Sequence, residues 1–254
     1  MLLMPFLAGW GIVGLGEGGR VGLALGAVLC LYLARYPLFL WARGSAPGFA
    51  PPVRRWFIVY LGIGLGLAGW LIFGYGMWLL IPLGAMGSVL LLGHLYLSRK
   101  HQERSMAGEF LGIAGLLLSA PVAVYAASGQ LNSVAFWLWF LSLAFFTTSI
   151  FYVKMKVEEF SSRGGAGSQT RHRLSRFLIW YQAGAIAVVL LLSYLGLIPT
   201  LTVVAFIPVA FQTAWGILKP VKQLRIKRLG WSQVGQSALF FGLLVLVYRI
   251  SEIT

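Results

Sequence analysis

The sequence predicts an all-α, polytopic membrane bundle of about nine transmembrane helices. Three observations predict it. The chain is 59% hydrophobic and only 10% charged, against about 25% charge in an ordinary soluble domain, so it has too few charges to cover a water-facing surface. Its apolar residues fall in runs long enough to cross ~30 Å of hydrocarbon, which takes about 20 residues at ~1.5 Å each. Its Lys and Arg residues gather in every second joint between those runs, as the positive-inside rule requires of a multi-pass chain. Nine runs with short joints use nearly the whole sequence, so 1–254 reads as a single transmembrane domain.

In order, the predicted spans are 2–16, 20–42, 55–73, 76–97, 107–128, 131–153, 176–195, 197–217 and 233–250. The first is apolar from Met1 to Gly14 but lacks the basic start and cleavage site of a signal peptide. It is short for a span, which suggests that the natural chain starts upstream. The second carries Cys30, the one cysteine, which reads as a small buried hydrophobe because it has no disulfide partner and no ligand cluster. The third holds Gly62, Gly64, Gly66 and Gly69, a spacing that lets helices approach closely. Pro82, Pro121 and Pro208 fall within the fourth, fifth and eighth spans, where each frees a carbonyl that neighbours must satisfy. The joint 44–52 is rich in Gly and Pro. The joint 158–175 is the longest and most polar, and reads as a flexible loop that could act as a lid.

The joints 16–19, 74–76, 128–131 and 196–200 are short and nearly free of cations. The alternate set holds Arg35, Arg43, Arg54 and Arg55, then Arg99, Lys100 and Arg104. Lys154, Lys156, Arg163, Arg171, Arg173 and Arg176 follow, and then Lys219, Lys222, Arg225, Lys227 and Arg228. Of 20 Lys and Arg, only Arg20 and Arg249 fall on the other side. The basic joints are therefore expected in the cytoplasm, with the amino end inside and the carboxyl end outside. The same pattern gives the net charge of +14 a topological cause, and nucleic acid is not expected as a partner. Trp41, Trp56, Trp137, Trp139, Trp180, Trp215 and Trp231 flank the spans as an interfacial aromatic belt.

A parallel repeat of four helices is suggested by two matches. Arg55–Tyr60 (RWFIVY) opens the third span and Arg176–Tyr181 (RFLIWY) opens the seventh. Gly108–Glu109 enters the fifth span and Gly235–Gln236 the ninth. The offsets are 121 and 127 residues, and the repeat halves would be about 20–128 and 131–250. Repeat halves in membrane proteins tend to place a ligand site where they meet.

Polar side chains in hydrocarbon need a partner or a cavity, and here they share a depth. Arg35, His94, Glu109, Thr147, Thr148, Gln182, Gln212 and Gln236 each stand some five to eight residues from the nearest basic joint, roughly 7–12 Å inside the cytoplasmic boundary. The amides and hydroxyls could simply tie helices together. Arg35, His94 and Glu109 read better as one network. The expected site is a cytoplasm-facing polar cavity formed by Arg35, His94, Glu109, Gln182, Gln212 and Gln236. Arg55, Arg104, Arg176 and Arg225 would stand at its rim to receive an anionic lipid headgroup or small anion, for which a guanidinium supplies a planar fork of donors.

The chain contains no Asp, and its six acids are Glu17, Glu103, Glu109, Glu158, Glu159 and Glu252. It has no phosphate-binding loop, no His-x-x-x-His pair and no nucleophile–His–acid set, so its motifs leave the catalytic residues and any cofactor unknown. Three stretches carry a resemblance: Met1–Gly9 (MLLMPFLAG), Glu103–Gly112 (ERSMAGEFLG) and Lys219–Arg228 (KPVKQLRIKR). Through them nearly the whole chain resembles the YwiC-like family of bacterial membrane proteins. That family usually opens with a His-Gly-Ala-Trp segment, which is missing here, and the resemblance implies no activity. A more distant topological likeness is to the UbiA prenyltransferase superfamily, which implies two Asp-rich, Mg²⁺-binding motifs near the ends of the second and sixth spans. At the corresponding places stand Arg35-Tyr36-Pro37 and Lys154–Glu159 (KMKVEE), so only Glu158 and Glu159 remain as weak metal candidates. The reading favoured is binding or transport of an anionic amphiphile or small anion. The alternatives are a UbiA-like enzyme that has lost its Asp-rich motifs, and a structural or accessory membrane component.

Overall fold

The computed structural model describes residues 2–14, 17–42, 51–100, 102, 105–161, 167–218 and 226–253. Every regular element among them is helical. They are α1 (Leu3–Val13), α2 (Gly18–Ala42), α3 (Pro51–Tyr75), α4 (Leu80–Arg99), α5 (Met106–Leu117), α6 (Ser119–Ser128) and α7 (Ser133–Ser161). Then follow α8 (Gly167–Tyr194), a 3-10 stretch Thr200–Phe206, α9 (Ile207–Leu218) and α10 (Ile226–Ile253).

All nine predicted segments appear as helices, but eight are long and apolar enough to cross a membrane. The exception is α1, whose 11 residues reach only about 16 Å. It is held by packing instead. Gly9 lets α1 close on α6, since a methyl there would lie 2.7 Å from the Ala120 carbonyl oxygen, and the Ser119 hydroxyl donates to the Leu2 carbonyl at 3.1 Å.

Two proline effects shape the spans. Pro121 lacks an N–H and its ring crowds the carbonyl four residues back, at Leu117, and there the fifth span breaks into α5 and α6. Pro208 stands likewise to Val204, whose carbonyl accepts from Ile207 in the tighter 3-10 pattern before α9 begins. The sixth span runs longer than expected, to Ser161, and α8 starts at Gly167. Most of the expected loop 158–175 is therefore helix, while 162–166 lies outside the described residues, as does most of the joint 44–52. Lys154 and Lys156, expected in a joint, stand on α7.

The chain forms two compact units, residues 2–139 and 140–254. In the first, α2 packs along α3 and also touches α4 and α6, α1 lies on α6, and α4 lies on α5. One end is a close-packed apolar cluster of Phe6, Val21, Ala24, Leu71, Met77, Ala123, Tyr125, Ala126 and Ala127, where the Tyr125 hydroxyl accepts from the Leu79 N–H at 3.4 Å. Beside that end Arg20 is ion-paired with Glu17, so this exception to the charge asymmetry adds no net charge. In the second unit α7 is the hub. Phe145 stacks on Phe240 of α10 at 4.1 Å, and Phe151 meets Phe177 and Tyr181 of α8 edge-on.

Candidate functional site

The first unit gathers its buried polarity where α2 and α4 end and α5 begins. Arg35 and Phe39 are one turn apart on α2 and so share a face. The Arg35 guanidinium sits over the Phe39 ring at 4.9 Å, and Phe39 meets the His94 ring edge-on, also at 4.9 Å. Arg35 Nη2 donates to His94 Nε2 at 3.3 Å. Arg35 is half-buried and His94 is buried on α4. Among the described residues Arg35 has no carboxylate partner.

The third wall is Gly112 of α5. A methyl there would lie 2.8 Å from His94 Cε1, 2.9 Å from Nδ1 and 3.4 Å from Arg35 Nη2, so only glycine admits α5 this close. Glu109 stands three residues earlier, on the same face of α5, and is half-buried. The Ser105 hydroxyl caps α5 by accepting from the Gly108 N–H at 3.1 Å. Glu109 in the first turn adds a favourable charge to the helix dipole.

Of the six cavity candidates, the structure thus joins Arg35 to His94 and sets Glu109 one turn from the glycine that touches both. Gln182, Gln212 and Gln236 lie in the second unit on α8, α9 and α10. Gln182 is buried, and neither of its amide atoms has a hydrogen-bond partner among the described residues. Gln212 and Gln236 are half-buried, and the Gln236 carbonyl oxygen is also without a partner there. Of the rim candidates, Arg55 and Arg176 are exposed, while Arg104 and Arg225 lie outside the described residues. Thr147 and Thr148 donate to the carbonyls of Leu143 and Ala144, four residues back on their own helix, at 2.7 and 3.2 Å. Both are satisfied on their own helix, and Thr147 also hydrogen-bonds the Tyr181 side chain of α8, which ties α7 to α8.

Four features escaped the sequence reading. Phe39 and Gly112 are part of the Arg35–His94 cluster. Ser149 of α7 is hydrogen-bonded to Gln233 of α10. Lys156, counted as a joint cation, is 4% exposed. Its ammonium is ion-paired with Glu159 at 3.0 Å and donates to the Gly216 carbonyl of α9 at 2.5 Å. The Lys–x–x–Glu spacing on one helix was the available signal. This pairing engages Glu159, one of the two weak metal candidates. Among the described residues no group of three or more His, Cys, Asp or Glu stands together as a metal site.

Residues 1–125 match the family described as YwiC-like protein. The chain is 29% identical over 171 residues, 65% of its own length, to the Uncharacterized protein YwiC of Bacillus subtilis (strain 168), and it spans 66% of that curated relative. No solved structure matches. None of these findings concerns the UbiA superfamily. The matched stretch contains Arg35, Phe39, His94, Glu109 and Gly112, and ends before α7.

Proposed function

On the premise that the chain is YwiC-like over its first 125 residues, we propose that it binds, and as a membrane protein transports, an anionic amphiphile or small anion at Arg35. The orientation proposed with it places the Arg35–His94 end of α2, α4 and α5 toward the cytoplasm of a bacterial cell, following the basic joints. The observation that carries the reading is the state of Arg35. A guanidinium inside a membrane-length helix is costly and normally finds a counter-charge. Here its partners among the described residues are a neutral ring nitrogen and an aromatic face. Its guanidinium carries five N–H donors, enough to engage the two oxygens of a phosphate, sulfate or carboxylate.

The likeness to a metal-dependent prenyltransferase gains nothing from Glu159, whose carboxylate is held by Lys156.

The test is titration of sulfate into the protein in phosphatidylcholine nanodiscs, repeated with phosphatidylglycerol included. Sulfate should raise the thermal midpoint of the wild type. Phosphatidylglycerol should suppress that rise if a lipid headgroup is the natural occupant. Arg35→Gln should weaken sulfate by at least about tenfold, the loss of one charge-assisted contact. Equal sulfate affinity in Arg35→Gln and the wild type would remove the proposal.

A further inference from the structure

The Arg35–His94 contact dictates a protonation state. Arginine carries five N–H donors and no acceptor, and stays charged in proteins. At 3.3 Å from Arg35 Nη2, His94 Nε2 must therefore accept. The ring is the neutral tautomer with its proton on Nδ1. A second proton would place an imidazolium against a guanidinium. An anion in this site reverses the balance. It draws the Arg35 donors to itself, leaves Nε2 without its donor, and adds a negative charge beside a ring that is 9% exposed.

Building on the anion-binding reading above, we infer that the site is proton-coupled: His94 takes up one proton as the anion binds, so anion and proton occupy the pocket together. The proton adds to Nε2, and its N–H replaces Arg35 as a donor toward the anion. A pocket that starts with one cation then holds two. The product of the two binding steps is one negative charge lighter than an anion alone, which suits passage through hydrocarbon.

The groups around His94 allow this role. From α2 come Arg35 and Phe39, with Tyr32 one turn before Arg35. From α5 comes Glu109, on the face that presents Gly112. The described charged side chains of α3, Arg54 and Arg55, are exposed. On its own helix the nearest charge is Arg99, five residues on and exposed. His94 is the group among these whose ordinary titration lies between about pH 5 and 8.

The experiment uses the full chain in phosphatidylcholine nanodiscs and sulfate, which does not titrate in this range. Binding is measured between pH 8 and 6, and proton uptake is followed with an indicator dye in weak buffer. One proton per anion makes sulfate bind up to about tenfold more tightly per pH unit as pH falls. His94→Gln retains an oxygen that can accept from Arg35 but cannot be protonated. It should bind sulfate at every pH no more tightly than the wild type does at pH 8, with no pH dependence and no proton taken up. Repeating the pH series in phosphatidylglycerol discs, with sulfate as competitor, assigns the coupling to a headgroup or to a free anion. Wild-type sulfate binding with a flat pH profile and no proton uptake overturns the coupling and leaves the anion site standing. No sulfate or phosphatidylglycerol binding at any pH overturns both. Should His94→Gln not fold, the proton count on the wild type decides alone.

Discussion

The two units bury a cation in different ways. In the first, Arg35 leans on an aromatic ring and donates to a neutral histidine. In the second, Lys156 is closed off by the Glu159 carboxylate and the Gly216 carbonyl. The second arrangement is complete: the charge is neutralised and at least two of the three ammonium protons are engaged. The first is incomplete in charge, and its histidine can change state. The positions also correspond. Adding the 121-residue offset of the repeat to Arg35 gives Lys156. If the two units descend from one ancestor, as the repeat proposes, the same cation became a structural pair in one copy and stayed available to a ligand in the other.

That contrast is open to direct attack. The largest effect expected is at Lys156. Lys156→Met removes the Lys156 ammonium from the Glu159 carboxylate, whose side chain is 7% exposed. Breaking a buried pair from one side costs roughly 3–5 kcal/mol. The thermal midpoint in nanodiscs should fall sharply, and Lys156→Met/Glu159→Leu should recover most of it, because an apolar pair carries no stranded charge. Sulfate binding in the double variant should match the wild type. A loss of sulfate affinity there would mean that the second unit, too, serves the anion, and the contrast would fail.

A smaller effect is expected at Gly112. Alanine favours a helix over glycine by up to about 1 kcal/mol. Its methyl, however, would lie 2.8 Å from His94 Cε1, and overpacking of this kind costs roughly 1–3 kcal/mol. Gly112→Ala should therefore be destabilising on balance. Because the ring must move, the variant should also weaken sulfate several-fold. A variant more stable than the wild type with unchanged sulfate affinity would show that the α5 contact does not set the site.

The helices were legible in the sequence because hydrocarbon imposes one rule on every span: about 20 apolar residues, with charges at the ends. The exceptions have local causes that composition does not record. The break at Leu118 follows from the ring of Pro121, and the extension of α7 past Lys156 follows from a lysine that finds its partners without leaving the helix. For the site, the common level of Arg35 and His94 was readable and their contact was not. A count of residues from each joint put Arg35 and His94 at one level. It could not say that these two would touch, because contact depends on which way α2 and α4 are rotated about their axes. Phe39 and Gly112 had no polar signal to mark them. Lys156 was misplaced because the positive-inside pattern treats every cation as solvated.

The smallest effect concerns Gln182, where the second unit departs from its own completeness. It is 6% exposed, and neither amide atom has a partner among the described residues. An unmade hydrogen bond at a buried amide costs on the order of 1–3 kcal/mol. Its neighbour Tyr181 shows how the same helix satisfies a polar group, with the hydroxyl donating to the Ala144 carbonyl at 3.4 Å. If Gln182 is only a tolerated imperfection, Gln182→Leu should raise the thermal midpoint by roughly 2–4 °C, equivalent to about 1 kcal/mol for a chain of this size. Sulfate affinity should stay unchanged. A lowered midpoint would mean that water or a ligand completes the amide in the membrane. The second unit would then hold a neutral hydrogen-bonding site beside its sealed ion pair, and the division between a functional first unit and a structural second one would have to be redrawn around Gln182.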